Sequence, residues 1–122
     1  MKFVLKGTPK SKKNNKPIQI RGSKVVVFSS TDFNRYKKSC LEQIKQQLGD
    51  TTIPLDPPYT LTVIATFRNK VHLDGDNLLT SICDILQDAG VITNDKFIYY
   101  YEVRVEFAEI EESYVEVYIE CL

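Results

Sequence analysis

The sequence predicts an α+β fold, two helices packed on a small mixed or antiparallel sheet, and three observations carry that prediction. Apolar residues recur at helical spacing in two stretches, while the stretches between and after them alternate apolar and polar at a period of two. The chain has 122 residues, 43% hydrophobic and 26% charged, which suits one compact unit with a modest core. Helices against such a sheet are the simplest way to bury both kinds of apolar face. The composition argues against a disordered tail, a repeat array or a multidomain enzyme. No internal repeat or linker divides the chain, so residues 1–122 read as a single domain.

A first strand is expected at about 2–7, followed by a loop rich in Pro, Lys and Asn over 8–16 and a hairpin-like pair near 17–21 and 24–28. Arg21, Gly22 and Ser23 form its turn. Ser30 or Thr31 can cap a helix running to about Leu48, where Phe33, Tyr36, Cys40, Leu41, Ile44 and Leu48 make an apolar stripe and Gly49 stops it. Pro54, Pro57 and Pro58 mark a rigid connection. Beyond it Tyr59, Leu61, Val63, Ala65 and Phe67 alternate with Thr60, Thr62, Ile64 and Thr66, the pattern of a strand. Near Asn77 the period changes, and Leu78, Leu79, Ile82, Ile85, Leu86 and Ala89 fit a second helix ending at Gly90. Strands from Phe97 to Phe107 and from Tyr114 to Cys121 close the chain.

The opening run Met1 to Gly7 loses its apolar character after three residues, so neither a secretory signal nor a membrane span is expected and the default compartment is cytoplasmic. Cys40, Cys83 and Cys121 are odd in number, far apart and set among apolar neighbours. They read as reduced thiols serving as small core residues.

A formal charge of zero hides an asymmetry: residues 1–70 hold 14 basic and 4 acidic residues, whereas 71–122 hold 2 and 12. The basic residues are densest at Lys2, Lys6, Lys10, Lys12, Lys13, Lys16, Arg21 and Lys24, with no acid before Asp32. Lysines beside Ser11, Asn14 and Asn15 can meet phosphates without reading sequence. A solvated basic loop is the plainer alternative. Glu102, Glu106, Glu109, Glu111, Glu112, Glu116 and Glu120 should repel DNA and mark a surface turned away from it.

The segment Val71 to Leu78 places Asp74 and Asp76 two residues apart where strand pattern gives way to helix pattern. In extended geometry they point the same way and could share a hard divalent ion, with Asp95 as a third carboxylate after the second helix. An ordinary helix cap at Asp76 and a turn residue at Asp95 are the alternative. His72 lacks the partners of a zinc site and reads as a strand-end residue. Tyr99, Tyr100 and Tyr101 could stack on bases, but the strand alternation favours core packing or a dimer seam.

Asp74-Gly75-Asp76-Asn77-Leu78, then Asp84-Ile85-Leu86, Ala89-Gly90-Val91-Ile92 and Asn94-Asp95, resembles the RusA family of Holliday junction resolvases, including its phage and prophage members. The upstream stretch Gly7 to Asn14, the hairpin and the helix from Ser29-Ser30 resemble phage-type members. This resemblance implies a RusA-like fold and a homodimeric endonuclease, dependent on Mg²⁺ or Mn²⁺, that cuts branched DNA. It makes Asp74, Asp76 and Asp95 the metal-binding, catalytic carboxylates. Asn77 steadies the motif, and Asp84 is a structural or supporting helix position. The family usually places a lysine four residues after Asp76, where this chain has Thr80; Lys70, Lys96 or a lysine of 10–16 could substitute. Asn94 replaces the first member of the usual Asp pair. DNA would be held by Lys10, Lys12, Lys13, Asn14, Lys16, Arg21, Lys70 and Lys96.

A reach argument adds one expectation. Helix 77–89 is about 20 Å long, and six residue steps from Ala89 to Asp95 span at most about 20 Å. Return of Asp95 to Asp76 within one subunit is marginal; shorter helix limits, a sideways crossing or completion of the site by a dimer partner would each ease it. The alternatives to a resolvase are a junction-binding protein of the same fold with impaired catalysis and an oligomeric interaction protein without DNA cleavage.

Overall fold

In the computed structural model, residues 1–11, 18–21, 24–27, 31–68 and 74–122 are described. Strand β1 (Lys2–Lys6) is followed by the hairpin β2 (Ile18–Arg21) and β3 (Lys24–Val27), helix α1 (Thr31–Leu48), strand β4 (Tyr59–Phe67) and helix α2 (Gly75–Asp88). A 3₁₀ turn (Asp95–Phe97), strand β5 (Ile98–Phe107) and strand β6 (Tyr114–Cys121) complete it.

The main sheet has the order β1-β6-β4-β5. Its β1/β6 and β6/β4 pairs are antiparallel and its β4/β5 pair is parallel, so the sheet is mixed. The parallel pair requires a crossover, and α2 supplies it. β2 and β3 pair separately, with Arg21 opposite Lys24.

The period-two pattern puts Phe3 and Leu5, the odd residues from Tyr59 to Phe67, and Val115, Val117 and Ile119 on one face, all buried. Tyr36, Cys40 and Ile44 of α1 and Leu78, Ile82, Ile85 and Leu86 of α2 pack into the same cluster, so both helices cover that face. Each fully buried aliphatic side chain here contributes about 1.5–3 kcal/mol. Fully buried Tyr59 ties two connections to the sheet: its hydroxyl donates to Leu55 O at 2.7 Å and accepts from Thr93 N at 3.3 Å.

The two sheet edges are treated differently. On β1, the Gln47 side chain accepts from Val4 N at 2.9 Å and donates to Val4 O at 2.8 Å. Gln43 does the same for Lys6, at 2.7 and 3.1 Å. Two amides one helical turn apart thus imitate a neighbouring strand and close that edge.

Three expectations need correction. Cys40 and Cys83 are buried, but Cys121, the last residue of β6, is exposed. Helix α2 begins at Gly75, not near Asn77, since Asp74 (φ −65°, ψ 148°) is the extended N-cap whose carbonyl receives Leu78 N at 2.9 Å. Asp74 and Asp76 therefore do not share one extended segment. Core packing does not account for the tyrosine run, whose members are 67%, 60% and 58% exposed. The β4/β5 register shifts between Tyr59 and Thr60 and leaves Tyr99 without an opposite residue, so the simple alternation holds only from Tyr100 onward. Among the described residues, no helix is long and apolar enough to cross a membrane.

Candidate metal and nucleic-acid site

The helix-start chemistry places two carboxylates together. Asp74 is exposed at the N-cap and its side chain makes no capping hydrogen bond; Asp76 is exposed in the first turn. Both lie at the positive end of the helix dipole, which favours negative groups there. A Cβ at Gly75 would lie 3.7 Å from Val103 Cγ1, so the start of α2 rests on β5. This puts the acidic pair beside the sheet edge. Asn77, next along, is turned inward and is only 8% exposed.

Asp95 arrives by a different route. Gly90, at φ +76°, closes α2 in a Schellman motif, with Gly90 N donating to Gln87 O at 3.0 Å and Val91 N to Leu86 O at 3.0 Å. The left-handed backbone there suits glycine. The chain doubles back, Asn94 Oδ1 accepts from Lys96 N at 2.9 Å to cap the 3₁₀ turn, and Asp95 N donates to Gln87 Oε1 at 2.9 Å. Asn94 thus does the capping an aspartate would do. Gln87 holds the Asp95 backbone, a role nothing in the sequence signals.

Asp95 lines a half-open pocket of about 140 Å³ with Leu79, Thr80, Cys83, Ile98 and Tyr101. Thr80 and Cys83 follow Asp76 by about 6 Å and about 10 Å along the helix axis. Among the described residues, no three His, Cys, Asp or Glu side chains stand close enough to share an ion. The structure brings Asp74 and Asp76 to one helix end and sets Asp95, in the 3₁₀ turn, beside Thr80 and Cys83 of the same helix. Two exposed carboxylates with open coordination positions fit Mg²⁺, which commonly takes one or two carboxylates and keeps water and phosphate ligands.

The neighbouring groups have definite partners. Thr80 Oγ1 donates to Asp76 O at 2.8 Å, a bond within the helix. Asp84, half-buried, pairs with Lys37 Nζ of α1 at 3.3 Å, and Lys37 also pairs with Asp88. Those partners, Asp88 first, hold the Lys37 ammonium above its usual pKa. Asp84 thus joins the two helices. Burial pushes the Cys83 thiol up to about 12, with Asp95 and Asp84 adding to the effect, and pushes Cys40 up to about 11.

The described start of the basic segment meets α2. Ser81, fully buried, donates from Oγ to Lys10 O at 2.8 Å, while Lys10 itself is exposed. The start of the lysine-rich run is thereby fastened beside the helix that carries the acidic pair. Lys12, Lys13, Asn14, Lys16, Lys70 and His72 lie outside the described residues. Lys96 sits next to Asp95, its Nζ 5.1 Å from the Phe97 ring centroid. On the sheet face away from the helices, Glu102, Glu106, Glu116 and Glu120 share the surface with Lys2 and Arg104. There Lys2 lies 3.4 Å from Glu116, and Arg104 lies 3.3 Å from Glu102 and 3.9 Å from Glu106. Four of the glutamates thus lie on the sheet face opposite α2.

A family model described as Endodeoxyribonuclease RusA matches residues 6–120, nearly the whole chain. The chain belongs to the RusA family. A similar protein is the crossover junction endodeoxyribonuclease RusA of Aquifex aeolicus (strain VF5), 30% identical over 87 residues. That stretch covers 71% of this chain and 66% of the relative, just under two thirds of its length. The two helices on a small mixed sheet agree with the RusA-like fold expected from the sequence. Membership in an endonuclease family, with an exposed acidic pair at the start of α2, supports a nuclease function in general.

Proposed function

We propose that this RusA-family chain is a divalent-metal-dependent endonuclease that acts as a homodimer on branched DNA, hydrolysing phosphodiesters at four-way junctions. The observation that carries the reading is the Asp74–Asp76 pair, exposed at the N-terminus of α2 with the Asp74 side chain unused in capping. A divalent ion bound there, Mg²⁺ or Mn²⁺, supplies an oriented water and takes up charge on the transferring phosphoryl group. The chain's own residues do the rest. Asp74 and Asp76 supply carboxylate oxygens, and Asp95, displaced along the helix, completes the set from a partner copy. Lys10, whose carbonyl Ser81 holds, and the lysines that follow it in the sequence hold backbone phosphates, with Lys96 beside Asp95. The products are a 5′-phosphate and a 3′-hydroxyl.

One observation favours a second reading, a junction-binding protein with impaired catalysis. The hydroxyl at position 80 carries no charge and is engaged with Asp76 O, so this position provides no cation to the developing phosphoryl charge.

Cleavage of a labelled four-way junction in Mg²⁺ or Mn²⁺, beside Asp76→Ala and a linear duplex, separates the readings. Paired cuts by the unaltered protein alone support the resolvase; tight junction binding without cuts supports the second reading. Mixing Asp76→Ala with Asp95→Ala subunits tests the shared site: activity above that of either homodimer is expected, and its absence removes the composite arrangement.

A further inference from the structure

Strand β5 forms the other edge of the main sheet, and its Tyr101 stands opposite Leu61 of β4, so both residues lie on the face that the helices cover. Leu61 is fully buried there, yet Tyr101 is 58% exposed. It borders the half-open pocket of about 140 Å³ between β5 and α2, with Leu79, Thr80 and Cys83 from the helix, Asp95 from the 3₁₀ turn and Ile98 from the start of β5. The metal chemistry accounts for Asp95 alone. The rest of the lining calls for a ligand of its own.

Its size and its lining narrow that ligand. A cavity of about 150 Å³ lined by Leu, Ile and Phe holds one benzene molecule, so this space suits a single six-membered ring and not a fused pair. Leu79 and Ile98 are aliphatic, and Cys83 is a buried thiol kept protonated by its surroundings. Thr80 spends its proton on Asp76 O. Asp95 is the one charged residue of the six, so the interior favours a neutral ring over an ion. The exposed ring of Tyr101 adds an aromatic surface, the kind on which nucleic-acid bases stack whatever their sequence.

The location names the source of the ring. Asp95 belongs to the proposed metal site, so a base seated beside it comes from a nucleotide next to the phosphate under attack. This holds whichever copy supplies the acidic pair, because the pocket travels with Asp95. Drawing a base out of a regular duplex costs its stacking and pairing, and that cost is smallest where pairing is already broken. A branch point offers such bases and a linear duplex does not.

We infer that the pocket of Leu79, Cys83, Ile98 and Tyr101 beside Asp95 is a base-binding subsite that takes one unstacked pyrimidine flanking the scissile phosphate. The inference rests on the nuclease reading above and names what its site holds beside the phosphate. Tyr101 is the stacking residue, and Leu79 with Ile98 sets the single-ring limit.

The test uses the full chain and a set of four-way junctions. Each position within two nucleotides of the mapped cut carries in turn a pyrimidine, a purine or an abasic site, with the opposite strand changed to match. Single-turnover cleavage is measured in Mg²⁺ or Mn²⁺, and affinity is measured by fluorescence anisotropy without metal. At one position the pyrimidine junction should be bound and cut about tenfold better than the abasic and purine forms, within the range of one base–aromatic stack. Tyr101→Ala removes the stacking surface and Leu79→Phe fills the space; each should erase that difference, and Tyr101→Phe should keep it. Every variant is compared with itself across the junctions, so a general loss of activity or of folded protein leaves the ratio unmoved. Equal handling of all three forms at every position overturns the subsite, and so does a preference that survives in both Tyr101→Ala and Leu79→Phe. Base-dependent affinity without any cuts overturns the nuclease reading and keeps the subsite, whereas cuts without base preference do the reverse.

Discussion

Replacing Ser81 by alanine cuts a fastening between the start of the lysine-rich segment and the helix that bears the acidic pair. Ser81 is fully buried and its hydroxyl donates to Lys10 O at 2.8 Å, a part-buried bond bridging 71 positions of sequence. Loss of the donor leaves a carbonyl without that partner, which costs about 1–2 kcal/mol. At about 2.1 cal/mol/K of unfolding entropy per residue, a chain of this size should lose about 4–8 °C in Tm. The same free energy bounds the functional effect: if the bond keeps the segment in place, its removal lowers junction affinity by about 5–30-fold. The salt dependence separates placement from charge. Ser81→Ala should leave the slope of log K against log salt unchanged, whereas each phosphate-contacting lysine replaced by alanine, at Lys10, Lys12, Lys13 or Lys16, should reduce it by about 0.9. Affinity is read by fluorescence anisotropy on a labelled four-way junction at several salt concentrations, and stability by urea and thermal unfolding. An unchanged affinity in a protein that has lost the expected stability would refute the idea that this bond positions the basic segment.

Three further outcomes follow from the structure. Thr80→Lys returns a cation to the first turns of α2 beside Asp95 and should raise junction cleavage by up to about 10²-fold in single-turnover assays; an unchanged rate means that the charge comes from elsewhere. Gln47→Ala should abolish the two side-chain bonds to Val4, speed hydrogen exchange at the Val4 amide and cost about 1 kcal/mol, while exchange at outward amides of β5 in the monomer stays unchanged. Native protein at pH 8 should show one thiol reactive with a disulfide reagent, Cys121, with Cys40 and Cys83 reacting only on unfolding. For those two, the folded pKa lies above the unfolded one, so their contribution is intact below about pH 9. It falls as pH rises toward about 11 for Cys40 and about 12 for Cys83. Urea titrations across that range should show less loss in Cys40→Ala.

Local patterning made most of the elements legible. Helix α1 at Thr31–Leu48, strand β4 at Tyr59–Phe67 and strand β6 at Tyr114–Cys121 coincide with their apolar periods, because a period of 3.6 or 2 is a direct record of which face is buried. The start of α2 lies two residues ahead of the apolar stripe because Gly75 and Asp76 add nothing to it, and the boundary is set by Asp74 as the N-cap. The three tyrosines illustrate the other limit. Alternation separates Tyr100 from Tyr101, but only the position of β5 at the end of the sheet order leaves both exposed.

The candidate site divides the same way. The spacing of Asp74 and Asp76 and the lysine excess before Asp32 are properties of neighbouring residues, so the sequence alone determined the acidic pair, the basic segment and, through the ordered motif, the RusA family. Tertiary structure decided that Asp95 sits by Thr80 and Cys83, because the Schellman turn and Gln87 fix where the returning chain lies. It also decided that Ser81 meets Lys10, that Asp84 meets Lys37, and that Gln43 and Gln47 close the β1 edge. Each of these contacts joins residues from different elements, and a hydrogen bond or ion pair of that kind leaves no periodic trace in the chain. It exists only once the hydrophobic faces have packed and brought the distant groups within reach.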